Sequence, residues 1–162
     1  MRMRLTNKSL RMALGSVLAL VCVFACGELA AARDVALVTA KNSPIKAVKA
    51  DDLAKTIKTT HKWPDGSELT VVLTDPSSPK MRIVAEKLLA LTSGEFKKSI
   101  EAANRIRVTF LVVSSDEEAL KTLLGNPSAI ALVDVYSING SVNVSKIDGK
   151  LPLEPGYILH GQ

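Results

Sequence analysis

Four apolar runs, separated by segments that carry helix-start signals, constrain this chain more than any other feature. Residues 35–39 (VALVT), 68–74 (ELTVVLT), 108–113 (VTFLVV) and 129–135 (AIALVDV) have the length and β-branched content of strands. A fifth run, 141–147 (SVNVSKI), alternates Val142, Val144 and Ile147 imperfectly. Between the runs, Asp51 or Asp52 can cap a helix that puts Leu53 and Ile57 on one face. Ser77 or Ser78 can cap a second, with Pro79 at its first position and Met81, Val84, Leu88 and Leu91 at helical spacing. Thr92 and Glu95 form a capping box for a third, whose Phe96, Ile100, Ala103 and Ile106 or Arg107 mark a buried stripe. Ser115 and Glu118 form another box ahead of Leu120, Leu123 and Leu124, and Gly125-Asn126-Pro127 ends that helix.

Strands that alternate with helices predict an α/β domain with a mixed, mostly parallel central sheet flanked by helices. The runs VTFLVV and AIALV suit central strands buried on both faces, and the alternation of SVNVSKI suits an edge. No internal repeat or low-complexity stretch interrupts the pattern.

The first 32 residues read differently. A basic start (MRMRLTNKSLR) precedes an apolar run at 12–25, and Ala30-Ala31-Ala32 supplies the small residues of a cleavage site. The apolar run is fourteen residues, short of the roughly 20 that span a bilayer. The expectation is an export signal at 1–32, cut after Ala32, and a domain at 33–162 in the periplasm of a bacterium. Val23-Phe24-Ala25-Cys26 approximates a lipobox, so a lipid anchor at Cys26 is the alternative, with Phe24 a poor fit to it. Both cysteines, Cys22 and Cys26, lie in this leader. A chain starting at Arg33 therefore has no thiol for a disulfide, a nucleophile or a metal site, and its core must hold it together.

Charge and motifs narrow the function. The whole chain carries +5, but residues 33–162 carry 17 − 15 = +2, weak for a nucleic-acid binder. Lys97, Lys98, Arg105 and Arg107 alternate with Glu95 and Glu101, which reads as a solvated face. His61 and His160 are the only histidines and do not have the spacing of a metal pair. There is no nucleophile elbow, phosphate loop or dinucleotide fingerprint, so no catalytic residue, metal or cofactor is assigned. Asp116-Glu117-Glu118 offsets the dipole at a helix start rather than supplying an acid–base pair. Trp63, in the turn at 61–66, reads as an aromatic lid on the core.

One segment can bind a ligand. A strand ending at Thr74, a Ser-rich turn and a helix starting near Pro79 would aim backbone N–H groups at one point beyond the sheet. Ser77 and Ser78 add hydroxyl donors, and Arg82, one turn in, adds a guanidinium. The bland alternative is a serine cap and a solvated arginine.

The run at 50–82 (ADDLAKTIKTTHKWPDGSELTVVLTDPSSPKMR) resembles the substrate-binding proteins of phosphate ABC transporters, through its Trp-Pro-Asp-Gly turn and Ser-Pro-x-x-Arg helix start. Gly125-Asn126-Pro127-Ser128-Ala129-Ile130 is similar to that family's Asn-Pro-Gly-Ala-Ile-Gly-Tyr segment, and 146–152 with Pro155-Gly156-Tyr157 to its closing segment. The resemblance spans roughly 35–161. It implies a periplasmic-binding-protein-like single lobe that binds phosphate or another small oxyanion without catalysis, with Thr74, Ser77, Ser78 and Arg82 as the matching positions. It also implies an inner-membrane ABC transporter or sensor as partner, and either a lone lobe or a homodimer that rebuilds the second wall. The departures are the absence of Gly-Thr in the turn and of an Arg at the strand end, Ala131-Leu132 where Gly-Tyr is usual, and Asp75, whose carboxylate accepts rather than donates and so would favour a protonated oxyanion or repel a fully charged one. The competing reading is an interaction module that kept the fold and lost the ligand.

Overall fold

The structure is a computed structural model that describes residues 34–161. The expected leader, with Cys22 and Cys26, lies outside these residues. In chain order the elements are β1 (Val35–Ala40), β2 (Ala47–Val48), α1 (Ala50–Lys55), β3 (Thr70–Leu73), α2 (Pro79–Ile83), α3 (Ser93–Ile106), β4 (Phe110–Val112), α4 (Asp116–Leu123), β5 (Ala129–Asp134), β6 (Val142–Val144) and β7 (Lys146–Ile147). α1 and α2 each continue into a π-helical turn, Thr56–Thr60 and Val84–Leu88, and a 3-10 turn, Val135–Ser137, follows β5.

The main sheet has the order β4-β3-β5-β1-β6. β3 is parallel to β4 and β5, whereas β1 is antiparallel to both β5 and β6, so four of the five strands point the same way. Register is fixed by apolar pairs such as Leu37 opposite Leu132 and Val71 opposite both Phe110 and Ile130. Period-two alternation divides the core. Val35, Leu37, Val71, Leu73, Ile130 and Leu132 face α1, α2 and α3. Ala36, Val38, Val72, Ala131 and Val133 face α4, where their smaller side chains let a single helix sit close. β2 and β7 form a separate two-stranded parallel sheet, which the sequence pattern did not anticipate because it read 141–147 as one strand.

AIALV is central as expected: β5 lies between β3 and β1 and its first five residues are buried. SVNVSKI is an edge as expected, at β6. VTFLVV is not central. β4 is the other edge, with Leu111 and Val112 exposed. The physical reason is Asn104 on α3, whose Oδ1 accepts from the Phe110 N–H (2.9 Å) and whose Nδ2 donates to the Phe110 carbonyl (2.8 Å). That amide takes the place of a neighbouring strand and blunts the edge. Phe110 itself packs edge-on against Phe96, ring centroids 6.3 Å apart.

Helix starts follow the sequence with two corrections. Thr92 and Glu95 form a complete capping box, and Ser78 caps α2, its Oγ accepting from the Met81 N–H at 3.3 Å. The α1 cap is Lys49, not Asp51 or Asp52, and the first N–H, of Ala50, is instead satisfied by Asp148 Oδ1 at 3.0 Å. Ser115 caps α4, but the Glu118 carboxylate bonds Ser114 rather than Ser115, so the box is not reciprocal. Ile106 (92% exposed) and Leu124 (56% exposed) lie outside the core, because each sits at a helix end past the last buried turn. Leu91 follows the π turn of α2 and is only half-buried, while Leu89 takes a core position.

The C-terminal segment clasps β1. Val35 N–H donates to the Leu159 carbonyl, Tyr157 Oη to the Val35 carbonyl at 3.0 Å, and Gly161 N–H to Asp34 Oδ1 at 2.8 Å. His160 Nδ1 lies 2.7 Å from the same carboxylate oxygen. Burial works to raise the Asp34 pKa, but the bonds from His160 and Gly161 outweigh it and hold the carboxyl below its ordinary value.

Candidate anion-binding site

β3, β4 and β5 end on one side of the sheet, and α2 and α4 begin there, a topology that gathers helix N-termini beyond the carboxyl ends of parallel strands. The turn between β3 and α2 is built by Asp75. Its Oδ1 accepts from the Ser77 N–H at 2.9 Å, and its carbonyl accepts from the Ser78 N–H at 3.0 Å. Pro79 at the first helical position needs no N–H partner.

The four sequence-nominated residues sit along this turn. Thr74 is half-buried just past β3, Ser77 is exposed, Ser78 is half-buried, and Arg82 is exposed on the second turn of the helix. The hydroxyls of Thr74 and Ser77 make no hydrogen bond within the described residues. Ser78 Oγ accepts from Met81 and keeps its own proton for a ligand. Arg82 pairs only loosely with Glu86, Nε to Oε1 at 3.9 Å with both side chains more than half exposed, so its guanidinium is readily redirected.

A salt-bridged pair that the sequence reading did not nominate for binding lies beside this turn. Lys80, on α2, forms a salt bridge to Asp116, the first residue of α4, with side chains only 19% and 13% exposed. Asp116 Oδ2 also accepts from the Asp134 N–H at 2.9 Å and from Ser137 Oγ at 3.0 Å. Asp116 thus does more than offset a helix dipole: its carboxylate is an internal anion held between α2, α4 and the end of β5. Helix-start composition could have flagged Asp116 but not its partners, which are 18 to 36 residues away. Its neighbours Glu117 and Glu118 turn instead to Lys121 and Ser114, so the acidic triplet is not a convergent pair.

Other nominated residues lie elsewhere. Trp63 is buried against the core, and its Nε1 donates to the Ser128 carbonyl at 2.9 Å, as an aromatic lid should. His61 adopts a left-handed backbone with φ 52° at the end of α1's π turn, and its Nδ1 is buried without a partner. Burial and the nearby Arg107 lower its pKa, favouring the neutral ring. Arg107 forms a salt bridge to Glu68, while Lys97, Lys98 and Arg105 are solvated. No helix among the described residues is long and apolar enough to cross a membrane.

No protein-family model matches the sequence, and no curated protein is similar enough to match. Solved structures do match. An ABC-type phosphate transport receptor of Vibrio cholerae superposes with a TM-score of 0.62 at 19% identity, over 81% of this chain and 55% of that one. PstS of Borrelia burgdorferi gives 0.62 at 15% identity, over 82% and 56%. A Clostridium perfringens protein assigned to the phosphate ABC transporter substrate-binding class, solved with phosphate bound, gives 0.58 at 19% identity, over 74% and 46%. The chain therefore has the fold of phosphate ABC transporter substrate-binding proteins. It spans about half the length of these structures.

Proposed function

We propose that this chain is an exported, non-catalytic solute-binding protein that recognises phosphate or another small oxyanion at the β3–α2 turn. The observation that supports the reading most is the strand–turn–helix itself, in a fold shared with phosphate-transport receptors. In this reading the ligand lies beyond the strand ends, contacted by the hydroxyls of Thr74, Ser77 and Ser78 and by Arg82, with Asp75 selecting a protonated oxyanion. The described residues supply one wall of such a site, and binding tightens where a second copy or a membrane transporter supplies the other. Export rests on the leader at 1–32, and the periplasm is the compartment it implies.

Titration calorimetry of the chain starting at Arg33 with phosphate, using sulfate as competitor, tests this. Saturable heat that weakens in Arg82→Ala, a change at an exposed position, supports the reading. No heat and no thermal shift at millimolar phosphate ends it.

One observation favours a second reading, an interaction module that kept the fold without the ligand. Lys80 is already neutralised by Asp116. Under that reading a periplasmic face of a transporter or sensor is the partner, and its binding is insensitive to replacing both Ser78 and Arg82.

A further inference from the structure

A concavity lies away from the strand ends. An open groove of about 790 Å³ lies between β2, α1 and the Trp63-Pro64-Asp65 turn, within the usual size range of a binding site. It is at the opposite end of the parallel strands, since Trp63 is anchored to Ser128, the residue before β5. It shares no residue with the candidate anion site.

Its chemistry is mixed in a particular way. Ile45, Val48, Leu53 and Trp63 make an apolar lining. Thr56 also lines the groove, and its hydroxyl, which makes no hydrogen bond among the described residues, is reached by solvent there. A solvent-reached hydroxyl is free to donate to or accept from a bound molecule. Three carboxylates, of Asp52, Asp65 and Asp148, stand at the groove against one cation, Lys49, so its local charge is 1 − 3 = −2 while residues 33–162 carry +2. The β2 strand adds a third feature. The bonds from Lys146 N–H to the Lys46 carbonyl and from Asp148 N–H to the Val48 carbonyl fix which groups of β2 face β7. By the alternation of a parallel ladder, the N–H and C=O of Ala47, which lines the groove, face away from β7.

We infer that this groove docks an extended segment of a partner protein that carries apolar and basic side chains. Main-chain bonds to Ala47 would extend the small sheet, alternate apolar side chains would lie on Val48, Leu53 and Trp63, and a Lys or Arg would meet Asp52 and Asp65. The free strand edge favours a polypeptide over a small organic cation, which would use the lining and the carboxylates but not the Ala47 backbone.

Trp63 is the only tryptophan of the chain, so its emission reports occupancy directly. The probes are a capped seven-residue peptide of alternating valine and lysine, its valine–glutamate counterpart, and phenethylammonium. The expected result is saturable change with the lysine peptide alone, weakened about tenfold by Asp52→Asn combined with Asp65→Asn and also weakened by Ala47→Pro, which removes the N–H. Circular dichroism and melting temperature check that each variant folds. If Ala47→Pro misfolds, Thr56→Val is the second variant and should also weaken binding. No response to the lysine peptide, or an equal response to the glutamate peptide, overturns the inference. Saturation by phenethylammonium together with peptide binding indifferent to Ala47→Pro overturns it in favour of a small-molecule site.

Discussion

The two ends of the parallel strands differ in how their polar groups are used. Beyond the carboxyl ends of β3 and β5, most polar atoms hold the scaffold: Asp75 shapes the turn, Ser78 caps α2, and Asp116 ties Lys80 to Asp134 and Ser137. At the groove beside β2, the Thr56 hydroxyl faces solvent without a protein partner and Ala47 offers its backbone outward. A feature that resembles a known binding turn can therefore be committed in part to structural duty, with the Thr74 and Ser77 hydroxyls left unengaged, while the groove joins the Thr56 hydroxyl to an outward strand edge. Substitutions at both ends measure this difference directly.

Trp63→Ala should have the largest effect, because Trp63 both floors the groove and packs in the main core. Truncating a buried aromatic costs about 3–5 kcal/mol, and the loss of its indole donor leaves the Ser128 carbonyl short of a partner. Urea denaturation would read it. A loss under about 1 kcal/mol would mean that the groove floor is not part of the core.

Asp116→Ala should come next, at about 2–3 kcal/mol, because it strands the Lys80 ammonium and removes acceptors from Asp134 N–H and Ser137. The same change frees the charge of Lys80, so phosphate affinity should rise as stability falls. Asp116→Asn separates the two effects, since the amide keeps an acceptor but loses the charge. If neither variant binds phosphate more tightly than the parent, Lys80 does not contribute to an anion site.

How much of this was legible in the sequence depends on how far the decisive contact reaches. Helix starts at Ser78, Thr92 and Ser115 could be read because a cap acts over three residues. The order of strands could be read only in part. The apolar run at 108–113 has the composition of a central strand, and only the Asn104 amide, which closes onto Phe110 in the fold, makes it an edge. The π turns of α1 and α2 were likewise invisible: the extra residue that brings Leu89 into the core is a response to packing, not to local propensity. Of the candidate site, Thr74, Ser77, Ser78 and Arg82 were legible as a motif, but the Lys80–Asp116 pair spans 36 residues and two helices. The Thr56 hydroxyl carried no signal at all, since a threonine within a helix shows its lack of a partner only when its surroundings are known.

A smaller effect is expected for Ser78→Ala, about 1 kcal/mol, the typical cost of losing an N-cap. Thermal unfolding measures it, and phosphate titration of the same variant asks whether the hydroxyl does anything besides capping. If stability falls and binding is unchanged, the serine serves structure only.

Thr56→Val is expected to have the least effect on folding, within about 0.5 kcal/mol and not destabilising, because the hydroxyl it removes makes no hydrogen bond within the described residues. This is the sharpest form of the comparison. Ser78 and Thr56 are both hydroxyl residues on helices at the ends of the same sheet, yet one loss should cost a cap and the other nothing. The difference follows from the partner that Met81 N–H gives to Ser78 and that nothing gives to Thr56. Denaturant midpoints of the two variants, measured side by side, decide it. A destabilisation by Thr56→Val equal to that of Ser78→Ala would mean that the Thr56 hydroxyl has a protein partner in solution, and the groove would lose its unengaged hydroxyl.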